Sequence, residues 1–497
     1  MFTIGYDIGS SSVKVALFDI SNGSCIASAY SPDEEMTISA LQSGWAEQDP
    51  EMWWQHLKNA TKKMFSGTRI DKKNIKAIGI SYQMHGLVAV DKELNVLRPA
   101  IIWCDSRAVE TGNRIIEDLG AKECFSSLLN SPGNFTASKL KWVKDNEPKL
   151  FEKIHKIMLP GDYIAMRMTG NVQTTIPGLS EGIFWDFNKN EVSCMLLNYI
   201  GISNDMFPEI IPTFSDQGAL LKSVSDELDL PPGLKVSYRA GDQPNNAFSL
   251  NVLEPGEVAA TAGTSGVIYG VTDQVKYDPE SRVNSFAHVN YAEKDPRIGV
   301  LLCINGTGIL NSWLKKNVAD QGTGYEEMNK IASGVSAGSD GLLVYPFGNG
   351  AERVLGNRDI GSIIKNLNFN IHHKAHLFRA AQEGIAFSLK YGMDVMKDTG
   401  IETEVIRAGK TNMFLSDLFS YTLATLTGAV IELYNTDGSL GAARGAAIGA
   451  GIFGSPKEAF TGLTLMKKIE PVTKIKSQIH DSFEVWKKYL LKNMNSL

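Results

Sequence analysis

Two short stretches of this chain, one near residue 9 and one near residue 263, share a design that limits what the whole can become. "GYDIGSSSVKVALFD" (Gly5 to Asp19) and "GEVAATAGTSGVIYGV" (Gly256 to Val271) each read as a strand, a Gly/Ser/Thr turn and a returning strand. Gly9-Ser10-Ser11-Ser12-Val13 lies over Gly263-Thr264-Ser265-Gly266-Val267 at a constant offset. Short Gly/Ser turns recur by chance. A pair that opens each half of a chain is better evidence, because a duplicated domain places its copies there.

Length agrees with duplication, since 497 residues exceed one ordinary hydrophobic core. In the first half, "TIGYDIG", "VKVALFDI" and "CIASAYS" alternate as strands, with Asn22-Gly23 as a hairpin turn. A helix follows, with Asp49 as N-cap, Pro50 at its first position and Trp53, Leu57, Ala60 and Met64 on one face. The apolar strand "IKAIGIS" and further β/α alternation complete an α/β pattern. Long helices are expected over His376 to Lys397, Asn412 to Thr427 and Gly441 to Phe453, the last packed closely on another backbone because it is mostly Gly and Ala. A domain boundary is expected within residues 240 to 255, dividing the chain into 1–245 and 246–497.

A net charge of -6 argues against a nucleic-acid backbone or an anionic membrane as main partner. The five cysteines are scattered without CxxC or Cys/His spacing, which fits a reduced, cytoplasmic chain. No signal peptide and no apolar stretch long enough to cross a bilayer is visible. Two phosphate motifs are only apparent. G-x-G-x-x-G at Gly449 to Gly454 lies inside a helix pattern, and "AGKTN" at Ala408 has Glu404 where a P-loop needs glycine.

Small residues let backbone N–H groups approach a phosphate, so the two hairpins are candidates to hold one. Asp242, in "AGDQPNNAF" at the expected boundary, is either a helix N-cap or a general base in a cleft between domains. His85 follows a strand in "SYQMHGLVAVD"; a lone His is more often structural, and no metal spacing surrounds it. Trp103, in "AIIWCDSRA", ends an apolar strand, where core packing is the ordinary role of a Trp.

In order along nearly the whole chain, these stretches resemble the FGGY carbohydrate kinases. The resemblance rests on "GYDIGSSSVKVALFD", "GWAEQDPEMWWQ", "QMHG", "IIWCDSRA", "FTASKLKWV", "LPGDYIAMRMTG", "GDQPNNA", "AGTSG", "HLFRAAQEGIAFSL" and "GSLGAARGAA". It implies two ribonuclease H-like domains of the actin-like ATPase type around a cleft. It also implies ATP and Mg²⁺ as cofactors and a small sugar as substrate, with homodimers common among relatives. The family's catalytic aspartate falls on Asp242. Asp7 with Ser10, Ser11, Ser12 and Lys14 falls on the first phosphate hairpin, and Asp7 and Asp242 lie near Mg²⁺ through water. Met84, His85, Trp103, Asp242 and Gln243 fall on the sugar pocket, and Gly263, Thr264, Gly308 and Gly409 on the nucleotide side.

The chain departs from the family pattern mainly on the nucleotide side. "RAGKTN" keeps one Gly and has Lys410 in an Ala position; "NGAERVLGN" keeps Glu352 and Arg353 but not the usual Thr-Pro. Gln382 stands where an apolar residue is usual, and Asn366 where Gly is usual. The activity implied is ATP-dependent phosphorylation of a ketose, D-xylulose first, with ribulose, gluconate or glycerol as alternatives. A sugar- or nucleotide-binding regulator without turnover is the reading from a different class; the retained Asp242 argues against it.

Overall fold

The alternation of β1 (Phe2–Ile8) decides the layout of the first half of the molecule. Successive side chains leave a strand on opposite faces. Ile4, Tyr6 and Ile8 share one buried cluster with Trp53, Trp54, Leu57, Ala60 and Met64 of the Pro50–Ser66 helix, and Tyr6 bonds Thr61 through their hydroxyls at 2.8 Å. Thr3, Gly5 and Asp7 face the other way, onto the Gly438–Gly449 helix. Thr3 donates to the carbonyl of Ala443 at 2.8 Å, and a Cβ on Gly5 would collide with the carbonyl of Ser439. A Cβ on Gly79 of the neighbouring strand would likewise collide with Ala442. Glycine is needed at these two positions because backbone meets backbone.

The structure is a computed structural model that describes residues 1–495. It divides into two compact units, one of Met1–Leu253, Phe286–Ile298 and Thr436–Leu463, the other of Glu254–Ser285, Gly299–Asn435 and Thr464–Leu497. The first crossing falls within the stretch 240–255. The chain then returns twice to the first unit, so a single cut into 1–245 and 246–497 does not separate the two. Sequence pattern alone does not reveal that the Gly/Ala helix of residues 438–449 completes the first sheet.

In the first unit, β1, β2 (Val13–Asp19), β3 (Ser24–Ser31), β4 (Ile75–Tyr82) and β5 (Lys235–Gly241) form a sheet in the order β5-β4-β1-β2-β3. Strands β5, β4 and β1 are parallel; β2 and β3 return antiparallel. The second sheet is built from β6 (Glu257–Ala262), β7 (Gly266–Thr272), β8 (Asn284–Ala287), β9 (Ile298–Ile304), β10 (Val405–Gly409), β11 (Val430–Tyr434) and β12 (Leu465–Ile469). Its order is β8-β9-β7-β6-β10-β11-β12. The inner run β11-β10-β6-β7-β9 repeats the order of the first sheet, with β11, β10 and β6 parallel and β7 antiparallel to β6.

The repeat is not perfect at the hairpins. Ile8 pairs with Val13, leaving the four-residue turn Gly9–Ser12; Ala262 pairs with Gly266, leaving the three-residue turn Gly263–Ser265. Helix ends also differ from expectation. The 412–427 stretch is broken, because Ser416 caps a helix that begins at Asp417 and a 3₁₀ turn over Asn412–Leu415 precedes it. The last Gly/Ala helix ends at Gly449, where Gly449 packs on the carbonyl of Ser237 and Gly451 takes a φ of 68°. The G-x-G-x-x-G stretch is therefore a helix C-terminus, which presents carbonyls rather than the N–H groups a phosphate needs.

Candidate active site

In the first unit, Asp7 sits opposite Lys14 across the β1–β2 ladder and beside Ser81 of β4. Its face of the sheet meets the start of the Gly438–Gly449 helix so closely that a Cβ on Gly438 would lie 2.6 Å from Asp7 Oδ2. Burial raises the Asp7 pKa; Lys14 and a hydrogen bond from Ser81 pull it back, and the charge of Asp437, the helix N-cap, pushes it up again. The turn beyond Asp7 is pinned from outside. Gly9 N–H donates to Ser12 O at 3.1 Å, Gln48 Nε2 donates to Ser10 O at 2.7 Å, and Trp103 Nε1 donates to Ser10 Oγ at 3.2 Å. Trp103 is 54% exposed, so it is not a core residue.

Asp242 is the first residue of a helix, Asp242–Ser249, immediately after β5; Gly241 is the N-cap. Its role as a cap is thereby excluded, and its position is a helix start rather than a loop. Burial and then the charge of Asp7 raise its pKa to about 7, against hydrogen bonds from Gln243 that lower it. Asp242 thus titrates near neutrality, as a general base requires. Just before it, a Cβ on Gly241 would lie 2.6 Å from Met84 Cγ and would displace the Glu181 carboxyl.

His85 follows β4 in the left-handed region at φ 62°, a conformation that non-glycine residues adopt only when their surroundings impose it. Glu181 receives the His85 N–H on Oε1 at 3.4 Å, and the Glu181 carbonyl lies 2.9 Å from His85 Nδ1. Lys139 Nζ donates to His85 O at 2.8 Å and to Ile102 O at 3.0 Å. One buried ammonium therefore ties together the segments that carry His85 and Trp103. Burial lowers the Lys139 pKa to about 7, while burial followed by the charge of Asp242 raises that of Glu181 well above the usual range. Sequence reasoning assigned roles to neither. Lys139 lies in the "FTASKLKWV" stretch; Glu181 had no local signal, because only the fold brings it to Gly241.

In the second unit, Gly263, Thr264 and Gly308 line a cavity of about 480 Å³ together with Asn311, Asn329 and Asn412. The N–H of Gly308, at the start of the Gly308–Asn317 helix, donates to Gly263 O at 2.9 Å, and Ile309 N–H to Thr264 O at 3.1 Å. These bonds fix the hairpin tip against the start of that helix. Glu352 holds the turn that leads into this helix, accepting from the N–H groups of Asn305 and Gly306 at 3.0 and 3.1 Å. Gly409 ends β10 and is not among the cavity-lining residues; Asn412 and Met413, just beyond it, are. All five cysteines are free, and no described helix is long and apolar enough to cross a membrane.

Two α/β units that repeat one strand order have the architecture of the actin-like ATPase fold. Residues 2–249 match the N-terminal domain, and residues 258–452 the C-terminal domain, of the FGGY family of carbohydrate kinases, and the chain belongs to that family. It is 30% identical over 472 residues to a xylulose kinase of Bacillus subtilis (strain 168), covering 92% of this chain and 90% of that protein. It is 30% identical over 466 residues to a xylulose kinase of Escherichia coli (strain K12), covering 93% and 92%. A solved xylulose kinase from Rhodospirillum rubrum superposes with a TM-score of 0.87 at 24% identity over 100% of both chains. A gluconate kinase from Lactobacillus acidophilus gives 0.90 at 21% identity over 99% and 98%. At such identities the two structures speak for the fold alone. The chain is an ATP-dependent sugar kinase.

Proposed function

We propose that this kinase transfers the γ-phosphoryl group of ATP to the terminal hydroxyl of a ketose, D-xylulose, with Asp242 as the base. The observation that carries the reading is Asp242 itself, held near pKa 7 by burial and by Asp7 at the end of a parallel strand. The names of the relatives at 30% identity support the choice of sugar. In the unliganded chain Asp242 takes up a proton readily around neutrality; with sugar bound, it orients the hydroxyl and accepts its proton as the O–P bond forms. Met84, His85, Trp103 and Gln243 line the sugar, with Glu181 and Lys139 holding His85 in its left-handed conformation. Ser10, Ser11, Ser12 and Lys14 meet the transferred phosphoryl group, and Gly263, Thr264 and Gly308 hold the nucleotide.

Asp7 and Asp242 fit Mg²⁺ held through water, since no described cluster of three or more ligating side chains exists and Mg²⁺ binds through few carboxylates, phosphate and water. The ion supplies charge neutralisation on the phosphates. The cytoplasm, where ATP is available and free cysteines stay reduced, is the compartment this reading implies.

Purified protein with ATP, Mg²⁺ and a panel of D-xylulose, ribulose, gluconate and glycerol, read by ADP release, tests the proposal. Turnover on D-xylulose that vanishes in Asp242→Ala supports it. Turnover on another member of the panel alone replaces the substrate. Sugar binding without any turnover overturns the assignment of Asp242.

A further inference from the structure

The cavity behind the second hairpin contains a polar arrangement that the catalytic reading does not use. Gln382, on the Lys374–Asp398 helix, is fully buried, with Phe378, Arg379, Ile385 and Ala386 one turn away on either side. Its side chain touches two residues that line the cavity, Asn329 and Ser416. The hydrogen bonds among the three have a direction that can be worked out from one end.

Ser416 is the N-cap of the Asp417–Thr427 helix, and its Oγ accepts the N–H of Phe419. The Ser416 hydroxyl also donates, to Gln382 Oε1 at 2.6 Å. That bond fixes which end of the Gln382 amide faces which neighbour, because oxygen accepts and nitrogen donates. Gln382 Nε2 is turned to Asn329 and donates to Oδ1 at 2.9 Å. With Oδ1 engaged, Nδ2 is the polar atom that Asn329 offers to the cavity. The cavity wall at Asn329 is thus a hydrogen-bond donor, and its polarity is set by the helix cap at Ser416 acting through Gln382.

We propose that Asn329 reads an acceptor nitrogen of the ATP base, and that Gln382 is the positioning residue that keeps Asn329 turned as a donor. The inference rests on the reading of this cavity as the nucleotide site. It accounts for a buried glutamine where the family pattern has an apolar residue. A partly buried site built to donate one hydrogen bond discriminates against a base that lacks the matching acceptor, because the donor is then left unpaired.

The test is equilibrium binding of ATP and of its 1-deaza, 3-deaza and 7-deaza analogues to the purified full chain, by calorimetry, with Asn329→Leu, Gln382→Leu and Ser312→Phe beside wild type. Wild type should bind one of the analogues about tenfold more weakly than ATP, the worth of one good neutral hydrogen bond. Asn329→Leu should bind ATP about tenfold more weakly and no longer distinguish that analogue. Gln382→Leu frees the Asn329 amide to turn and should reduce the ATP-to-analogue ratio to an intermediate value. The ratio is read within one preparation, so it does not depend on how much of a variant is folded. Equal binding of ATP and all three analogues by wild type, or ATP binding by Asn329→Leu within twofold of wild type, overturns the role of Asn329. Full discrimination in Gln382→Leu overturns the role of Gln382. Ser312→Phe fills the cavity from the Gly308–Asn317 helix. If it binds ATP as wild type does, the nucleotide reading falls too; if it loses ATP while Asn329→Leu does not, only this inference falls.

Discussion

At the first hairpin, Asp7 and Lys14 face each other next to a four-residue serine turn, and a second carboxyl, Asp242, titrates under the charge of Asp7. At the second, the offset that aligns the two turns puts Thr261 in the place of Asp7, and Thr261 pairs with Val267 beside a three-residue turn. The strand order around both is the same. One hairpin thus stands beside two buried carboxyls, the other over a cavity whose polar lining is neutral amide and hydroxyl. On the proposed function, the difference divides one duplicated backbone between two tasks. Proton and metal chemistry needs charge that burial makes costly, whereas holding a nucleotide needs room and directed N–H groups.

The comparison breaks first at Asp242. Asp242→Asn should lower sugar-dependent ADP release by about 10³-fold while ATP binding is kept, since the base but not the cavity is removed. Asp7→Asn should lower turnover by about 10²-fold and leave sugar binding intact; loss of sugar affinity would show that Asp7 belongs to the sugar pocket instead. On the other side, Gly308→Ala places a Cβ against the carbonyl of Gly263. Overpacking of about 1–3 kcal/mol should weaken ATP binding about tenfold or more and leave sugar binding unchanged.

Smaller effects sharpen the contrast through pH. Asp242 must be ionised to act, so turnover should rise with pH through about 7. Asp7→Asn removes a charge that raises this pKa, so the rising limb should move to lower pH; a limb that stays put disconnects the two carboxyls. Stability runs the opposite way. The folded pKa lies above the 3.8 of an unstrained aspartate, so the folded chain holds this proton more tightly than the unfolded one. The stability linked to it is complete at acid pH and is lost as pH rises through about 7. Asp242→Asn should therefore melt higher than wild type at pH 8, by about 2 °C or more, with the gap closing toward pH 5.

Much of the scaffold was legible because it follows from local chemistry. Asp49 does cap the Pro50–Ser66 helix, accepting the N–H of Glu51, and the four apolar residues read as one face are all buried. The Gly/Ser hairpins could be read for the same reason. Glu181, Asn329 and Gln382 could not, since each matters through a neighbour more than 50 residues away or on another helix. Gln382 was visible only as an irregularity, a polar residue in an apolar position. Its meaning depends on the cap at Ser416, which itself interrupts a helix expected to run from Asn412.

The helix of residues 438–449 has a bearing on how the chain is made. Its backbone lies directly on Gly5 and Gly79, so the first sheet has an uncovered glycine face until the helix arrives. A ribosome that has released residue 253 has produced every strand of that sheet but not its cover, and most of another unit, Glu254–Ser285 and Gly299–Asn435, must emerge before the cover does. Completion of the first-made unit is thereby deferred almost to the end of synthesis, and a chain arrested in between leaves the Gly5 and Gly79 face of that sheet uncovered.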